Sequence, residues 1–345
     1  MSAEYRLSDR LTIASYFART HLANGLSMGA REEEILRDTG LTLAQLAHPK
    51  ARILATQLAG IVNNCWGFSR DELLGFTRQK MNLGMFRLLA EHLITCKDLA
   101  EVLGYIVRFY GLTGDQLGVR LDRTDDVLAC SITPDFKSAG HNSVAHSLLI
   151  ELLLLIFHRF LSWLTGHVIP LVKVCLQYPR PDHHQEYRLM FPSPCEFDSH
   201  HNALLFNAEE LNLPVVRNAD ELADYLQQIP LQWFRKQSFH GVWTADVMAL
   251  LEEDSDIERV AERLNVTSRT LRRKLTSEGS RFQQLKDNAR RDVAINLLQQ
   301  RNLTIAEIGF KVGFTETATF SRAFKQWTGV TPSSYRKAST FRKYR

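Results

Sequence analysis

Residues 256–275 read DIERVAERLNVTSRTLRRKL, and residues 304–325 read TIAEIGFKVGFTETATFSRAFK. The two stretches are copies of one pattern. Ile257, Val260, Ala261, Leu264, Asn265 and Val266 match Ile305, Ile308, Gly309, Val312, Gly313 and Phe314, each 48 residues later. After that point the offset is 49, and Leu271, Arg273 and Leu275 match Phe320, Arg322 and Phe324. Apolar residues recur at helical spacing on both sides of a break. The break needs a residue that tolerates positive φ, which Asn265 and Gly313 do. A small residue before it, Ala261 or Gly309, lets two helices approach. An apolar residue after it, Val266 or Phe314, plugs the angle between them. Each copy therefore reads as a helix-turn-helix, at about residues 257–276 and 305–327. A plain helical bundle accounts for one such copy but not for two in register.

The polar face of each second helix points to a ligand. The first carries Arg269, Arg272, Arg273 and Lys274 with no acid among them; the second carries Thr317, Thr319, Arg322 and Lys325. Cationic and hydroxyl side chains of this kind suit phosphates and base edges. Between the copies, residues 282–300, FQQLKDNARRDVAINLLQQ, read as one long helix with Leu285, Ala289, Val293, Leu297 and Leu298 as its buried stripe. A rigid spacer would hold two recognition helices in successive major grooves, about 34 Å apart, so that one chain reads two boxes about ten base pairs apart.

Charge divides the chain in the same place. Residues 240–345 carry 19 Lys and Arg against 12 Asp and Glu, whereas residues 1–239 carry 23 against 26. A basic domain joined to a slightly acidic one implies a polyanion partner for the first and another task for the second. The segment 229–241, IPLQWFRKQSFHG, separates the two regions, and the boundary is placed near Arg235. The N-terminal region, 1–235, is predicted as a helix-rich α+β regulatory domain. Helices are expected at 11–23, 54–62, 85–92, 99–109, 147–164 and 219–228, and strands at 118–122, 127–132 and 172–178. The C-terminal region, 236–345, is predicted as an all-α DNA-binding domain with two tandem helix-turn-helix units joined by a long helix.

Residues 148–164, LLIELLLLIFHRFLSWL, are interrupted by Glu151, His158 and Arg159 and are shorter than the roughly 20 uncharged residues a membrane helix needs, so a buried core helix is expected and no membrane partner. The first ten residues show no signal-peptide pattern. Five cysteines without a CxxC pair fit reduced thiols in the cytoplasm. His183, His184, His200 and His201 flank Cys195, but their spacing matches no familiar zinc site, so no metal is assigned. Arg78, Lys80, Arg87, Arg108 and Arg120 include candidates for anchoring an acidic ligand, against the plainer reading of surface ion pairs. No nucleophile elbow, zincin motif, P-loop or dinucleotide fingerprint is present. No cofactor and no enzyme activity are therefore expected; an enzyme or a metal sensor fused to the same DNA-binding domain is the alternative of another class.

The C-terminal region resembles the AraC/XylS family of regulators. The resemblance rests on Phe282, Leu285, Ala289, Arg290, Ala294, Leu297 and Leu298, and on the string GFTETATFSRAFKQWTGVTPSSYR at 313–336. It implies a sequence-specific transcription regulator whose first recognition helix meets bases through Arg269, Arg272 and Arg273. The second would use Thr317, Ala318, Thr319 and Arg322. Ala318 departs from the polar residue often found there; it can still touch a thymine methyl group. Residues 75–112 resemble, more loosely, the arabinose-binding-type regulatory domain of the ornithine-utilisation regulator group. That implies a small-molecule effector, not necessarily arabinose, and a capacity to form a homodimer. Promoter DNA and RNA polymerase are the implied partners, with activation the leading mode and repression or ligand-independent control the alternative.

Overall fold

A computed structural model describes residues 12–48, 50–137, 144–191, 193–234, 242–251, 256–277, 280–298, 300 and 302–340. In chain order it begins with β1 (Thr12–Ala14), α1 (Ser15–Ser27), α2 (Glu32–Ile35), α3 (Leu43–Leu46), β2 (Arg52–Leu54) and α4 (Ala55–Ser69). It continues with α5 (Met85–Leu93), α6 (Leu99–Thr113), β3 (Leu117–Thr124), β4 (Val127–Pro134), α7 (Val144–Thr165) and β5 (Lys173–Cys175). Then come α8 (Tyr187–Met190), β6 (Cys195–Glu196), β7 (Asn202–Asn207), α9 (Ala219–Gln227) and α10 (Leu231–Phe234). The remainder is helical: α11 (Val242–Leu250), α12 (Ile257–Arg263), α13 (Ser268–Ser277), α14 (Phe282–Leu298), α15 (Ile305–Lys311), α16 (Thr317–Thr328) and α17 (Pro332–Thr340).

These elements form two compact units. One comprises residues 16–39 and 58–234. The other comprises the described parts of 1–15, 40–57 and 235–345. The larger unit ends at Phe234. The two N-terminal segments do not follow the expectation that all of 1–235 forms one domain. They join the helical unit because Leu54 is buried in the same apolar cluster as Ile295, Phe320 and Phe324. The second half of the 229–241 segment lies outside the described residues.

In the larger unit a five-stranded sheet runs in the order β3–β4–β7–β5–β6, antiparallel except between β5 and β6. The β3–β4 hairpin closes tightly, with Thr124 opposite Val127 and Asp125 at φ 52° in the turn. Alternation puts Leu117 and Val119 of β3, and Leu128, Cys130 and Ile132 of β4, into the core, as a half-buried antiparallel strand requires. Helix α7 packs against β4 and β7. Its apolar stretch is 94% buried inside the protein, so its length serves this core. Helix α6 starts where the Asp98 carboxylate accepts a hydrogen bond from the Glu101 N–H at 3.0 Å.

The expected strands at 118–122 and 127–132 and the helices at 85–92, 99–109 and 147–164 all have counterparts. Two expected helices start later than predicted. Residues 12–14 and 52–54 form an antiparallel ribbon, and α1 and α4 begin only after it.

The helical unit has two lobes, each around its own core. Val247, Val260, Ala261, Leu271, Leu275, Phe282 and Leu285 fill the first. Ala294, Ile295, Leu298, Ile308, Val312, Phe320, Phe324 and Tyr335 fill the second. Helix α14 thus serves both lobes, its first half one core and its second half the other. For that reason its buried residues are Phe282, Leu285, Asp292, Ala294, Ile295 and Leu298, while Ala289, Val293 and Leu297 of the predicted stripe are only half-buried.

Candidate nucleic-acid interface

The two helix-turn-helix units share the same turn bond but cap their first helices differently. In the first, the Asp256 carboxylate caps α12 by accepting from the N–H groups of Glu258 and Arg259 at 3.0 and 3.2 Å. In the second, Thr304 and Glu307 form a reciprocal capping box on α15, with bonds of 2.6 and 3.2 Å. Both helices end at the turn residue, Asn265 at φ 55° and Gly313 at φ 84°. The Val266 N–H donates to the Ala261 carbonyl at 3.0 Å; 48 residues on, the Phe314 N–H donates to the Gly309 carbonyl at 2.9 Å. These bonds fold the chain back, so that the second helix crosses over the small residue. A Cβ on Gly309 would sit 3.2 Å from three atoms of Phe320, which leaves little room for any side chain there.

Those crossings bury one side of each second helix and leave the other open. On α13, Leu271 and Leu275 are fully buried, while Arg269, Arg272 and Arg273 are exposed. Among the described residues no carboxylate lies within 4.0 Å of these three guanidinium groups. Lys274 belongs instead to the packing: it is half-buried and its Nζ lies 5.6 Å from the centre of the Trp243 ring. On α16, Phe320 and Phe324 are buried, and Thr317, Ala318, Arg322 and Lys325 are exposed. Thr319 is half-buried, donates to Glu316 Oε2 at 3.2 Å and accepts a long bond from Arg322 Nη2 at 3.4 Å. All eight residues expected at the interface therefore lie on the two second helices, seven of them exposed.

A residue named only through the family resemblance has a structural role here. Arg290 of α14 lies 5.1 Å over the Phe314 ring and donates to the Gly313 carbonyl at 3.3 Å. It braces the second turn from behind. Partial burial holds its pKa below the usual guanidinium range.

The family described as the arabinose-binding domain of AraC transcription regulators, N-terminal, matches residues 29–215, and a helix-turn-helix domain family matches 260–338. The chain belongs to the AraC family of transcription regulators. It is a DNA-binding regulator rather than an enzyme. The ornithine utilization regulator of Pseudomonas aeruginosa is 28% identical over 265 residues, covering 75% of this chain and 77% of that one. An HTH-type transcriptional regulator of Mycobacterium tuberculosis is 26% identical over 321 residues, covering 89% and 91%. The crystal structure of the transcriptional regulator CdpR from Pseudomonas aeruginosa is similar over 98% of this chain and 100% of its own, at 20% identity and a TM-score of 0.32.

The arabinose-binding-type unit of this AraC-family chain has a polar core that the sequence did not reveal. Glu151 of α7 is wholly buried, and its Oε1 accepts from Tyr187 OH at 2.5 Å and from Tyr178 OH at 3.4 Å. The same oxygen lies 3.1 Å from His183 Nε2, whose ring stacks on Tyr16 at 3.7 Å. Burial first, and the Glu151 charge second, push the phenols of Tyr178 and Tyr187 well above their ordinary range, so both remain donors.

A cavity of about 590 Å³ opens at the β5–β6 edge, lined by Lys173, Arg180, Pro194, Cys195, Glu196, Phe197 and Asp198. Burial, with Cys175 and Glu151 adding to it, pushes the Cys195 thiol up to about 12. Among the described residues no group of three His, Cys, Asp or Glu side chains could hold a metal ion. Four of the five cations considered as ligand anchors have local partners. Arg78 meets Asp135 at 3.4 Å, Arg87 meets Glu91 at 2.9 Å, Lys80 donates to the Ser69 carbonyl at 2.9 Å and Arg108 lies 5.8 Å over Tyr105.

Proposed function

We propose that this regulator reads two promoter boxes on one face of the DNA, one with α13 and one with α16, and that a small molecule bound in its arabinose-binding-type unit controls transcription. Arg269, Arg272 and Arg273 serve the first box. Thr317, Ala318, Thr319, Arg322 and Lys325 serve the second. The observation that carries this reading is the split character of both second helices. Their apolar sides are consumed by the lobe cores, and their free sides present cations and a hydroxyl group. Guanidinium groups without a carboxylate partner are available to guanine edges and phosphates. The protein would work in the cytoplasm, activate RNA polymerase as the family resemblance implies, and bind paired sites as a homodimer. The similarity to an ornithine utilization regulator makes amino-acid-like compounds the first effectors to test.

The test starts from duplexes selected out of random-sequence DNA by the wild-type chain. Arg322→Ala should lower affinity by about 5- to 150-fold, which corresponds to roughly 1–3 kcal/mol for a lost base contact. Thermal stability should change by less than about 0.5 kcal/mol, since the side chain is exposed. Arg272→Ala should weaken discrimination at the other box only. Wild-type affinity in Arg322→Ala, or losses in both variants that do not depend on sequence, would end this assignment.

A further inference from the structure

Two segments near the N-terminus are built into the second lobe. The β1–β2 ribbon is pinned by Arg52, which is 8% exposed. Its Nε donates to Thr12 Oγ1 at 2.8 Å and its Nη2 to the Thr12 carbonyl at 2.6 Å, so one side chain ties the two strands together. Thr12 Oγ1 in turn donates at 2.5 Å to Asp292 Oδ1, 280 residues away on α14. Asp292 is 2% exposed and also accepts from Arg291 Nε at 2.9 Å. Tyr335 of α17 donates its hydroxyl to the Arg52 carbonyl at 2.5 Å. Leu54 completes the apolar core that contains Phe320 and Phe324. The His48 ring occupies the place where a Cβ on Gly329 would stand, and Gly329, at φ 83°, caps the C-terminus of α16. Three elements of the second lobe are therefore held at once: α14 at Asp292, α17 at Tyr335, and the end of α16 at Gly329.

A buried carboxylate is expensive unless it is hydrogen-bonded, and here part of its hydrogen bonding comes from Thr12. Without Thr12 and Arg52 the lobe would keep its helices but lose the polar network between α14 and α17. The exposed face of α16, with Thr317, Ala318 and Arg322, is not used by any of these contacts. The arrangement steadies the recognition helix from behind and leaves its reading face free. We infer that Thr12, His48 and Arg52 are positioning residues for DNA reading by the second helix-turn-helix, acting through Asp292 and Gly329. The inference rests on the assignment of α16 to the second box.

The experiment uses the full-length chain and three versions of the selected duplex: intact, first box scrambled and second box scrambled. Scrambling the second box should weaken wild-type binding at least tenfold. In Thr12→Val and in Arg52→Ala that penalty should shrink to less than threefold, with affinity for the duplex that retains only the first box unchanged. Arg52→Lys should restore part of it. Thr12→Val and Asp292→Asn should be non-additive, because they break the same bond. His48→Ala, at a half-buried surface position, provides the variant least exposed to misfolding and should show the same selective loss. If all the variants keep the wild-type second-box penalty, or lose affinity for both boxes alike, the positioning role is overturned. A wild-type chain with no second-box penalty would overturn the two-box reading and this inference together. A wild-type chain with the penalty and variants that retain it would overturn only the inference.

Discussion

At the scale of single residues, the two turns show how one backbone requirement is met by different side chains. Both Asn265 and Gly313 stand in the left-handed region, at φ 55° and 84°. A residue with a Cβ costs roughly 1–2 kcal/mol there, and Asn is the tolerated exception. Asn265→Gly is therefore expected to leave stability within about 0.5 kcal/mol, and Asn265→Ala to cost about 1 kcal/mol. Gly313→Ala should cost more, because the new Cβ would come within 2.8 Å of the Arg290 guanidinium as well as carrying the conformational cost. Urea unfolding of the three variants checks the order; an Asn265→Ala protein as stable as the wild type would refute it. These positions were legible in the sequence because the requirement is local. The role of Asp292 was not, since a carboxylate in the middle of a helix reads as solvated until its partner, 280 residues away, is known.

Between residue and whole molecule stand the elements, and there the legibility depended on length. Helices α13 and α16, with ten and twelve residues, carry enough turns for their apolar sides to declare themselves. The ribbon strands have three residues each and no period of their own, so the sequence merged β1, and Leu54 of β2, with the helices that follow. Strand β7, at Asn202–Asn207, pairs with both β4 and β5 and is largely buried; its short apolar run lacks the alternation that marks a half-exposed strand. The spacer α14 was recognised, but its buried side was predicted as one stripe. Two cores share it, and each takes its own residues. Because one continuous helix belongs to both lobes, the spacing of their recognition helices should be a property of the protein rather than of the DNA. Inserting five base pairs between the boxes turns the second box to the far side of the duplex, about half a helical turn away. Affinity should then fall to that of a duplex with one box, whereas inserting ten should restore some binding only if the DNA bends or the lobes part. Equal affinity at the natural spacing and with five added base pairs, measured by fluorescence anisotropy, would contradict a rigid spacer.

At the scale of the whole molecule, stability against acid should be set by the arabinose-binding-type unit. His21 and His158 lie in its core, and burial pushes both pKa values down to about 4 from the ordinary value near 6.5. His158 Nε2 lies 2.9 Å from the Ile169 carbonyl, at the base of α7. A histidine kept neutral by folding binds its proton more readily once the chain unfolds. Between pH 6.5 and 4 the unfolded chain therefore holds more protons at these two sites, and stability falls as the pH falls. The contribution is complete above about pH 6.5, is lost progressively toward pH 4, and changes no further below that. It amounts to a few kcal/mol for each histidine, at about 1.4 kcal/mol per pH unit of separation. Glu72 works in the opposite sense, because burial raises its carboxyl pKa and favours the protonated folded form at low pH. Glu72 acts where an unfolded carboxyl group is ionised and the folded one still holds its proton, so it offsets part of the decline there, but it is one proton against the two that the histidines take up on unfolding. Urea midpoints of the full-length protein should decline steadily from pH 7 to pH 4. His158→Gln, which keeps a donor for the Ile169 carbonyl but cannot take up a proton, should remove about half of that decline. A double variant with His21→Gln should be nearly flat across the window, and a double variant as acid-sensitive as the wild type would show that other groups govern acid unfolding.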